Sequence, residues 1–445
     1  MQDKQFVFSS YTHNSDRTEY SFFYEIITDK KYQFVEKLIL PQKPGQIPEK
    51  LLDEILFNIH LILGISYWKS YCPSKIVIKT KQLTKEQAEF WNTVYTKGLG
   101  EFFYKNKIDY RGIVRFPYEE TAHFEPTSFP RKNRSLVGIG GGKDSVVVAE
   151  LLKENVGDFS TFIIENRKHN EVAHNVAKII GKDLITVKRQ IDPQFFIFNE
   201  KAGVYKGHIP ISAVYAFIGV LLAVSYDYSY IIVGNERSAS YGNTNYLGKI
   251  INHQWSKSLE FENLFLGYVK KFITSDVTYF SILRPFFEII IMEIFSKYSK
   301  YFPIFSSCNK VDKFVRAGPL KSHWCCECPK CAFVFVMLAA FISKEDVVKI
   351  FGENLLNKEL LINTYKELLG ITGIKPFECV GTPNEVKVAF YLTHKRGEFE
   401  EDVAMKMFLT EVMPNVKNIE QIKQDVFTKG DVSSIPEGFR KLITK

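Results

Sequence analysis

The sequence predicts an α/β protein whose central unit is a parallel sheet, with an α+β unit before it and a mainly helical region after it. Strand and helix patterns alternate over the middle of the chain, as they do in parallel sheets. Aromatic and β-branched runs precede this part, and charged helical patterns follow it. Because 445 residues can form two or three cores, we predict units at residues 1–125, 126–342 and 343–445.

The first unit begins with strands and continues with helices. Its strand patterns, rich in aromatic and β-branched residues, are Phe6–Phe8, Tyr20–Thr28 and Tyr32–Leu40. Apolar residues at helical spacing predict a helix over Leu51–Ile65. A second helix is predicted over Thr84–Tyr95, since Thr84 and the Gln three residues later form a capping-box pattern. The polar, proline-containing residues 119–134 are typical of a linker.

In the central unit, strand patterns alternate with helix patterns. The predicted strands are Ser135–Ile139, Thr161–Ile164, Asp183–Val187 and Tyr230–Val233, and the helices between them are Asp144–Glu154, Asn170–Ile180 and Ile211–Ser225. In the helical region that follows, Val386–Leu392 has a strand-like composition.

Composition and charge limit the classes of partner. The net charge is +8, and the lysines are spread along the chain without the basic run typical of nucleic-acid-binding tails. The N-terminus lacks a secretory pattern, and the most apolar stretch, Ile209–Val224, is too short and interrupted to span a bilayer. We therefore predict a cytoplasmic protein that binds neither nucleic acid nor membrane. The mild positive charge suits a phosphorylated or carboxylated substrate.

A glycine-rich loop is the strongest local signal. Between the first strand and the first helix of the central unit lie Gly140, Gly141, Gly142, Lys143, Asp144 and Ser145. Glycines at a helix start let backbone N–H groups approach a polyanion closely. Lys143 adds a positive charge, Ser145 a hydroxyl donor, and Asp144 a carboxylate able to hold Mg²⁺. The spacing matches neither a Walker loop nor a dinucleotide fingerprint, and the alternative is a plain glycine turn.

Two polar segments follow neighbouring strands of the predicted sheet. Ligands of open parallel sheets bind beyond the carboxyl ends of the strands. Glu165, Asn166 and Arg167 follow the second strand, where the base or ribose of a nucleotide is expected. Glu236 and Arg237 follow the fourth strand. The carboxylate suits Mg²⁺ or proton transfer and the guanidinium suits a phosphate or carboxylate, while the alternative is a surface salt-bridged turn.

Residues 253–262 bring many reactive side chains together, among them His253 and Lys257. We interpret this segment as facing the substrate. The alternative is an amphipathic stretch whose polar residues face water. His208, in the segment Gly207–Pro210, either has a structural role or shapes the entry to the long apolar helix after it.

Four clustered cysteines predict a metal site. Cys325, Cys328 and Cys331 form a C-x₂-C-x₂-C pattern, and Cys308 precedes them. In a chain without a secretory signal such clustering favours metal over disulfides, and four thiolates suit a structural Zn²⁺. The alternatives are reduced buried thiols or an iron–sulfur cluster. The extra thiol of Cys326 makes the choice of ligands ambiguous.

The glycine-rich loop resembles the Ser-Gly-Gly-x-Asp-Ser loop of the PP-loop ATP pyrophosphatases, which have an adenine nucleotide alpha hydrolase-like fold. Gly140 stands where that superfamily has its leading Ser, so one hydroxyl contact is missing. The resemblance implies cleavage of ATP between the α and β phosphates, with adenylation of an oxygen on the substrate. A similar arrangement of four cysteines occurs in the 7-cyano-7-deazaguanine synthases of this superfamily.

Further segments extend the resemblance over most of the chain. They are Leu63–Lys69, Gly98–Tyr104, Gly207–Pro210, Asn235–Ala239, Ser256–Glu262, Cys328–Cys331 and Lys375–Gly381. Their order and spacing resemble the ATP-dependent UDP-N-acetylmuramoyl-L-alanyl-L-glutamate epimerases of peptidoglycan synthesis. The resemblance implies an isomerase that uses ATP and Mg²⁺ on a UDP-sugar dipeptide and releases AMP and pyrophosphate. The doubled Cys325–Cys326 departs from the pattern.

Under this resemblance, adenylation neutralises the glutamate carboxylate, so that a protein base can remove the α-proton. The loop is expected to hold pyrophosphate, while Arg237 and Lys257 stabilise charge at the α-phosphate or on the substrate. The candidate bases are Glu236, His253, Glu260, Glu262, Glu378 and Cys379.

Two other functions remain open from sequence. A related PP-loop enzyme could adenylate a nucleobase or form an amide, because only the acceptor differs. A catalytically silent nucleotide sensor would keep the fold without releasing AMP. The oligomeric state and the metal at the cysteines also stay open.

Overall fold

The computed structural model describes residues 4–155, 158–166, 169–310 and 323–444. The strands are β1 (Gln5–His13), β2 (Glu19–Ile27), β3 (Lys31–Ile39), β4 (Lys75–Ile78), β5 (Ser135–Gly138), β6 (Phe159–Glu165), β7 (Leu184–Gln190), β8 (Tyr230–Val233), β9 (Thr244–Tyr246), β10 (Lys249–Ile251) and β11 (Thr278–Ser281).

The helices are α1 (Glu49–Trp68), α2 (Lys85–Gly98), α3 (Gly100–Lys105), α4 (Lys143–Asn155), α5 (Glu171–Ile180), α6 (Pro193–Asn199), α7 (Ile211–Tyr226), α8 (Leu259–Phe272), α9 (Glu288–Phe295), α10 (Pro329–Ala339), α11 (Lys344–Phe351), α12 (Ile362–Leu368), α13 (Pro383–Arg396), α14 (Val403–Met407), α15 (Ile419–Phe427) and α16 (Glu437–Thr444). The predicted capping box of α2 is present, with both Thr84 and Gln87 bonded.

A large, mostly parallel sheet lies at the centre of the molecule. Its order is β11-β8-β5-β6-β7-β3-β2-β1-β4, and β9 and β10 form a separate hairpin. The five strands from β11 to β7 run parallel, which confirms the predicted mixed α/β architecture. The four predicted central strands correspond to β5, β6, β7 and β8, whereas β11 was not predicted. Since parallel strands share a carboxyl edge, the loops after β5, β6 and β8 meet there.

The N-terminal strands continue the same sheet. β3 pairs antiparallel with β7, with Lys37 opposite Gln190. Beside this pair, Arg189 Nε donates a hydrogen bond to Glu36 Oε1 at 2.5 Å, and both side chains are buried. A buried charge keeps its ionised form only with such a partner. The first strands and the central sheet are therefore one continuous layer.

The sheet separates two hydrophobic cores, because successive strand residues face opposite sides. Leu136 packs in the core that contains α1 and α7, and Val137 in the core that contains α4 and the C-terminal helices. By length and composition α1 could cross a membrane, but 94% of its most apolar window is buried in the protein. Packing in the core accounts for its apolar character.

The strand predicted at Val386–Leu392 is wrong, because these residues lie within the helix α13. Thr382 caps this helix by accepting from the backbone N–H of Glu385, whose side chain bonds back to Thr382 N. Pro383 occupies the first helical position, where its missing N–H costs nothing. These start signals outweigh the β-branched and aromatic composition of the segment.

Candidate active site

The glycine-rich loop joins β5 to α4, as predicted, at the carboxyl edge of the sheet. Gly141 has a φ of +88°, and an added Cβ would lie 2.7 Å from a methyl carbon of Val172, so this position requires glycine. Ser145 Oγ donates to the carbonyl oxygen of Gly142 at 2.9 Å. The backbone N–H of Ser306 donates to the carbonyl oxygen of Gly141 at 3.1 Å. Neighbouring segments thus hold the loop in place.

Three carboxylates meet beside this loop. Asp144 lies at the start of α4, Glu236 follows β8, and Glu288 begins α9. Their oxygen atoms lie within 4.8 Å of one another. The ammonium group of Lys143 forms hydrogen bonds with Asp144 and Glu288. Sequence reasoning missed Glu288; recognising β11 as a strand would have placed Glu288 just beyond another strand end.

Burial makes the ionised forms of these carboxylates energetically costly. Burial raises the pKa of Glu236 and of Glu288. Burial opposes the charge of Asp144 and Lys143 as well, but their mutual attraction lowers the pKa of Asp144 and raises that of Lys143. Glu236 is 1% exposed, and neither of its oxygens has a hydrogen-bond partner among the residues described. Such a carboxylate is costly unless a cation completes the site.

A second group of titratable side chains lies next to the first. His253, after β10, bonds through Nδ1 to Glu101 of α3, and its imidazole and the Cys379 thiol are close enough to shift each other's pKa. Burial alone would lower the pKa of His253, but Cys379 and Glu101 raise it to about 9. The ring of His208 lies 4.6 Å from that of His253, and burial lowers the pKa of His208 to about 3. Glu101 was not predicted from the sequence.

Lys257 connects the two groups. It ends a short 3₁₀ turn, Trp255–Lys257. The negative charge of Cys379 raises the pKa of Lys257 and, against burial, so do Glu236 and Asp144. Lys257, from the segment predicted to face the substrate, is therefore close enough to both groups to interact with their charges.

The structure does not bring Arg237 to this cluster. Its guanidinium lies over the ring of Phe287, 4.5 Å from the centroid, and donates to the carbonyl oxygen of Thr428 at 3.4 Å. Its predicted role in charge stabilisation stays a prediction that this placement does not support.

The other predicted nucleotide residues lie at the end of β6. Glu165 accepts from the N–H of Asn170 at 3.2 Å and contacts His169 and His174. Asn166 Nδ2 donates to the hydroxyl of Tyr215 at 2.7 Å. Both lie one strand away from the loop, in the predicted place, while Arg167 lies outside the described residues.

The four predicted cysteines come together. The sulfur atoms of Cys308 and Cys328 are 4.0 Å apart, those of Cys325 and Cys331 3.6 Å, and those of Cys328 and Cys331 3.5 Å. None of the seven cysteines, all of which the structure describes, forms a disulfide. Cys326 turns away, toward the carbonyl oxygens of Trp324 and Phe351. The ambiguity left by the doubled cysteine is thus resolved in favour of Cys325.

Comparison with protein families identifies the family of this chain. The model of the MurL N-terminal domain matches residues 1–282, and that of the MurL C-terminal domain matches residues 304–424. The chain belongs to the MurL epimerase family. Its relatives include the UDP-N-acetyl-alpha-D-muramoyl-L-alanyl-L-glutamate epimerase of Xanthomonas oryzae pv. oryzae, 35% identical over 87% of this chain and 86% of the relative.

Two further relatives in the family carry the same name. The protein of a Micromonospora species is 35% identical over 99% of this chain and 98% of its own length. That of Salinispora tropica is 34% identical over 97% and 93%. Among solved structures, the predicted subunit of a tRNA methyltransferase from Methanocaldococcus jannaschii is 18% identical, with a TM-score of 0.23, over 37% of this chain and 76% of that chain. A likeness this weak carries no argument.

The two MurL domain matches divide the site between them. Asp144, Glu236, His253 and Lys257 fall in the N-terminal match, and Cys379 falls in the C-terminal match. Glu288 lies in the interval between the matches. In this family member the site is therefore assembled from both parts of the chain.

Proposed function

We propose that this chain is an ATP-dependent epimerase that inverts the terminal L-glutamate of UDP-N-acetylmuramoyl-L-alanyl-L-glutamate in peptidoglycan precursor synthesis. The names of the relatives support the substrate and the isomerase class. One observation carries the ATP-dependent mechanism: the ammonium group of Lys257 is close enough to Asp144, Glu236 and Cys379 for each of them to raise its pKa. A phosphate site and a proton-transfer site are adjacent, as epimerisation of an activated carboxylate requires.

The glycine-rich loop supports adenylation as the first step, and with it the assignment to the PP-loop superfamily. A carboxylate oxygen of the substrate attacks the α-phosphorus of ATP, and the bond to the β-phosphate oxygen breaks. Pyrophosphate leaves into the loop Gly140–Ser145, whose N–H groups lie at a helix start. Lys257 stabilises the charge that develops at the α-phosphate. We assign the rest of the nucleotide to Glu165 and Asn166.

The carboxylates fit a divalent cation. Asp144, Glu236 and Glu288 offer oxygen ligands close together, and the buried carboxylate of Glu236 lacks a partner among the described residues. Oxygen ligands of this kind suit Mg²⁺. Mg²⁺ bound there would offset the charge of the phosphates and of these side chains.

Adenylation prepares the glutamate for proton removal. An ionised carboxylate repels the negative charge that develops on the α-carbon. In the acyl adenylate that charge is neutralised, and the carbonyl accepts the electron pair as the C–H bond breaks. Return of a proton to the opposite face inverts the centre. Water then attacks the carbonyl carbon, and the carboxylate and AMP are released.

The four cysteines fit a structural Zn²⁺. With Zn–S distances of 2.3 Å, a tetrahedral site has sulfur–sulfur edges of about 3.8 Å. The observed separations of 3.5–4.0 Å bracket that value. Cys308 follows directly on Ser306 and Ser307, which contact the glycine-rich loop. We propose that zinc fixes this segment behind the loop.

The test of this function is a coupled assay in D₂O. Purified protein receives Mg-ATP and the L-glutamyl substrate, and AMP, pyrophosphate and deuterium at the glutamate α-carbon are followed together. We expect all three to appear with a D-glutamyl product, and none with an ATP analogue whose α–β bridge is a methylene. AMP formation that requires a different acceptor would contradict the substrate. ATP binding without AMP formation would contradict the enzyme.

A further inference from the structure

We propose that Cys379 is the catalytic residue that removes the α-proton of the substrate glutamate, with His253 and Glu101 aligned behind it as positioning residues. This inference rests on the proposed function. It adds the identity of the base, which the sequence left open among six candidates.

The contacts of Cys379 form an ordered array. Glu101 bonds to Nδ1 of His253, and the imidazole of His253 is close enough to the Cys379 thiol to lower its pKa. The carbonyl oxygen of Cys379 accepts a hydrogen bond from Lys330 Nζ, which fixes the backbone at this point. The amide of Gln254 donates to the next carbonyl, that of Val380, at 3.2 Å. A carboxylate, an imidazole and a thiol in this order form the arrangement that activates cysteine for reaction.

A second observation points to a ligand near this thiol. Lys257 is attracted both to Cys379 and to Glu236, whose buried oxygens have no hydrogen-bond partner in the part of the chain that the structure describes. The residue Cys379 is only partly buried. A substrate with one end at the loop would therefore have its activated carboxyl group near Lys257 and Cys379.

The charges around Cys379 favour its thiolate. Burial alone would raise the pKa of the thiol, but Lys257, His253 and Lys330 lower it to about 6. The groups that face it are His253 and Lys257 from the segment after β10, Lys330 from α10, and Lys375 from its own segment. At neutral pH a thiolate beside an imidazolium is the base form that proton abstraction needs.

Three of the four carboxylate candidates are held by other partners, and the fourth, Glu236, is assigned to the cation site. Glu262 is buried and accepts from Arg284 Nε at 3.2 Å and from its Nη2 at 2.5 Å. Glu260 is nearly half exposed and bonds to Lys97 and to Trp255. Glu378 accepts from the side chain of Asn309. Each has a structural partner that proton transfer would disrupt, whereas Cys379 has a neighbouring imidazolium that stabilises its thiolate.

The step balances in protons and electrons. The Cys379 thiolate forms an S–H bond with the α-proton, the Cα–H bond breaks, and its electron pair moves to the carbonyl oxygen of the acyl adenylate. A proton from solvent water is delivered to the opposite face, which restores the carbonyl and inverts the carbon. The imidazolium of His253 gives its proton to the hydroxide left by that water and takes up the proton of the Cys379 thiol, so the enzyme ends as it began.

The experiment separates adenylation from proton transfer. In Cys379→Ala, substrate-dependent exchange of labelled pyrophosphate into ATP is expected to stay within about tenfold of wild type. Deuterium incorporation at the α-carbon is expected to fall by at least about 100-fold, the usual contribution of a general base. The matched control is Cys72→Ala, which removes a half-buried thiol that donates to Lys69 O, and it is expected to keep both rates.

Each outcome has one meaning. Near-wild-type deuterium incorporation in Cys379→Ala would overturn the assignment of the base. Absence of pyrophosphate exchange in the wild-type protein would overturn the proposed function itself. If Cys379→Ala does not fold, alkylation of the wild-type protein by iodoacetamide tests the assignment of the base instead. Cys379 is expected to react half-maximally near pH 6, faster than Cys72, and to be protected by Mg-ATP with substrate. Equal reactivity of the two thiols without protection would contradict the proposal.

Discussion

Lys143 and Glu288 form a buried ion pair between the first residues of α4 and α9, 145 positions apart in the chain. The contact attaches the glycine-rich loop to a helix that follows the last strand of the sheet. It also places the lysine of the loop among carboxylates, so the position of its ammonium group depends on their charge.

Replacing Lys143 by Met should both inactivate and destabilise the protein. Removing one partner of a buried pair costs about 3–5 kcal/mol. Without the cation, the pKa of Glu288, already raised by burial, rises further. A carboxyl group whose pKa is raised in the folded state stabilises the protein less as the pH rises above the pKa of that group in the unfolded state. The melting temperature of the variant should therefore fall further behind wild type at pH 8 than at pH 5.

The matched control for that variant lies on the same helix. Lys153→Met removes a partly exposed lysine that pairs with Glu150 at 3.3 Å. Surface pairs contribute about 0–1 kcal/mol, so its melting curves and pyrophosphate exchange should stay close to wild type. A deficit in Lys143→Met that does not change between pH 5 and pH 8 would contradict the carboxylate cluster as its cause.

Glu236→Gln should reduce the response of the protein to magnesium. The buried carboxylate of Glu236 lacks a partner among the described residues, so we expect it to be a ligand of the cation. The concentration of Mg²⁺ for half-maximal AMP formation should rise at least about tenfold, since a lost charged ligand weakens binding. Without Mg²⁺ the variant should melt higher than wild type, because an uncompensated buried charge has been removed. Glu260→Gln, at an exposed site, is the control, and an unchanged magnesium requirement in Glu236→Gln would refute the assignment.

Cys331→Ser should remove zinc and lower stability. Cys331 is fully buried, and its sulfur lies close to those of Cys325 and Cys328. Elemental analysis is expected to find one zinc per wild-type chain and less than a tenth of that in the variant. Cys326→Ser, a buried thiol outside the cluster, should keep its zinc. Zinc lost equally from both variants, or absent from wild type, would argue for plain buried thiols.

Lys257→Ala and Arg237→Ala should differ in their effect on adenylation. The charges of Cys379, Glu236 and Asp144 act on Lys257, whereas Arg237 stacks on Phe287 and contacts Thr428. Loss of electrostatic stabilisation at a transition state typically costs about 100-fold or more. Pyrophosphate exchange should fall by that amount in Lys257→Ala and by less than about tenfold in Arg237→Ala. The reverse order would restore the role first expected for Arg237.

Much of the fold and of the candidate site can be predicted from local patterns in the sequence. The glycine-rich loop at Gly140–Ser145 could be placed between a strand and a helix because periodicity changes at that point. The four cysteines could be grouped because their spacing suits one ion. The strand predicted at Val386–Leu392 failed because composition was weighed above the start signals Thr382 and Pro383. In each case the deciding signal lies within one short stretch of the chain.

What the sequence alone determined was the kind of site, through the loop, the cysteine spacing and the reactive segment around His253 and Lys257. Only the tertiary structure decided which side chains complete it. Glu288 and Glu101 carry no local signal, and they join the site because the order of the strands brings distant segments to one sheet edge. Arg237 is the opposite case. It is next to Glu236 in the chain, but this position does not fix the direction of its side chain. Contacts across more than a hundred residues depend on packing, which no local pattern encodes.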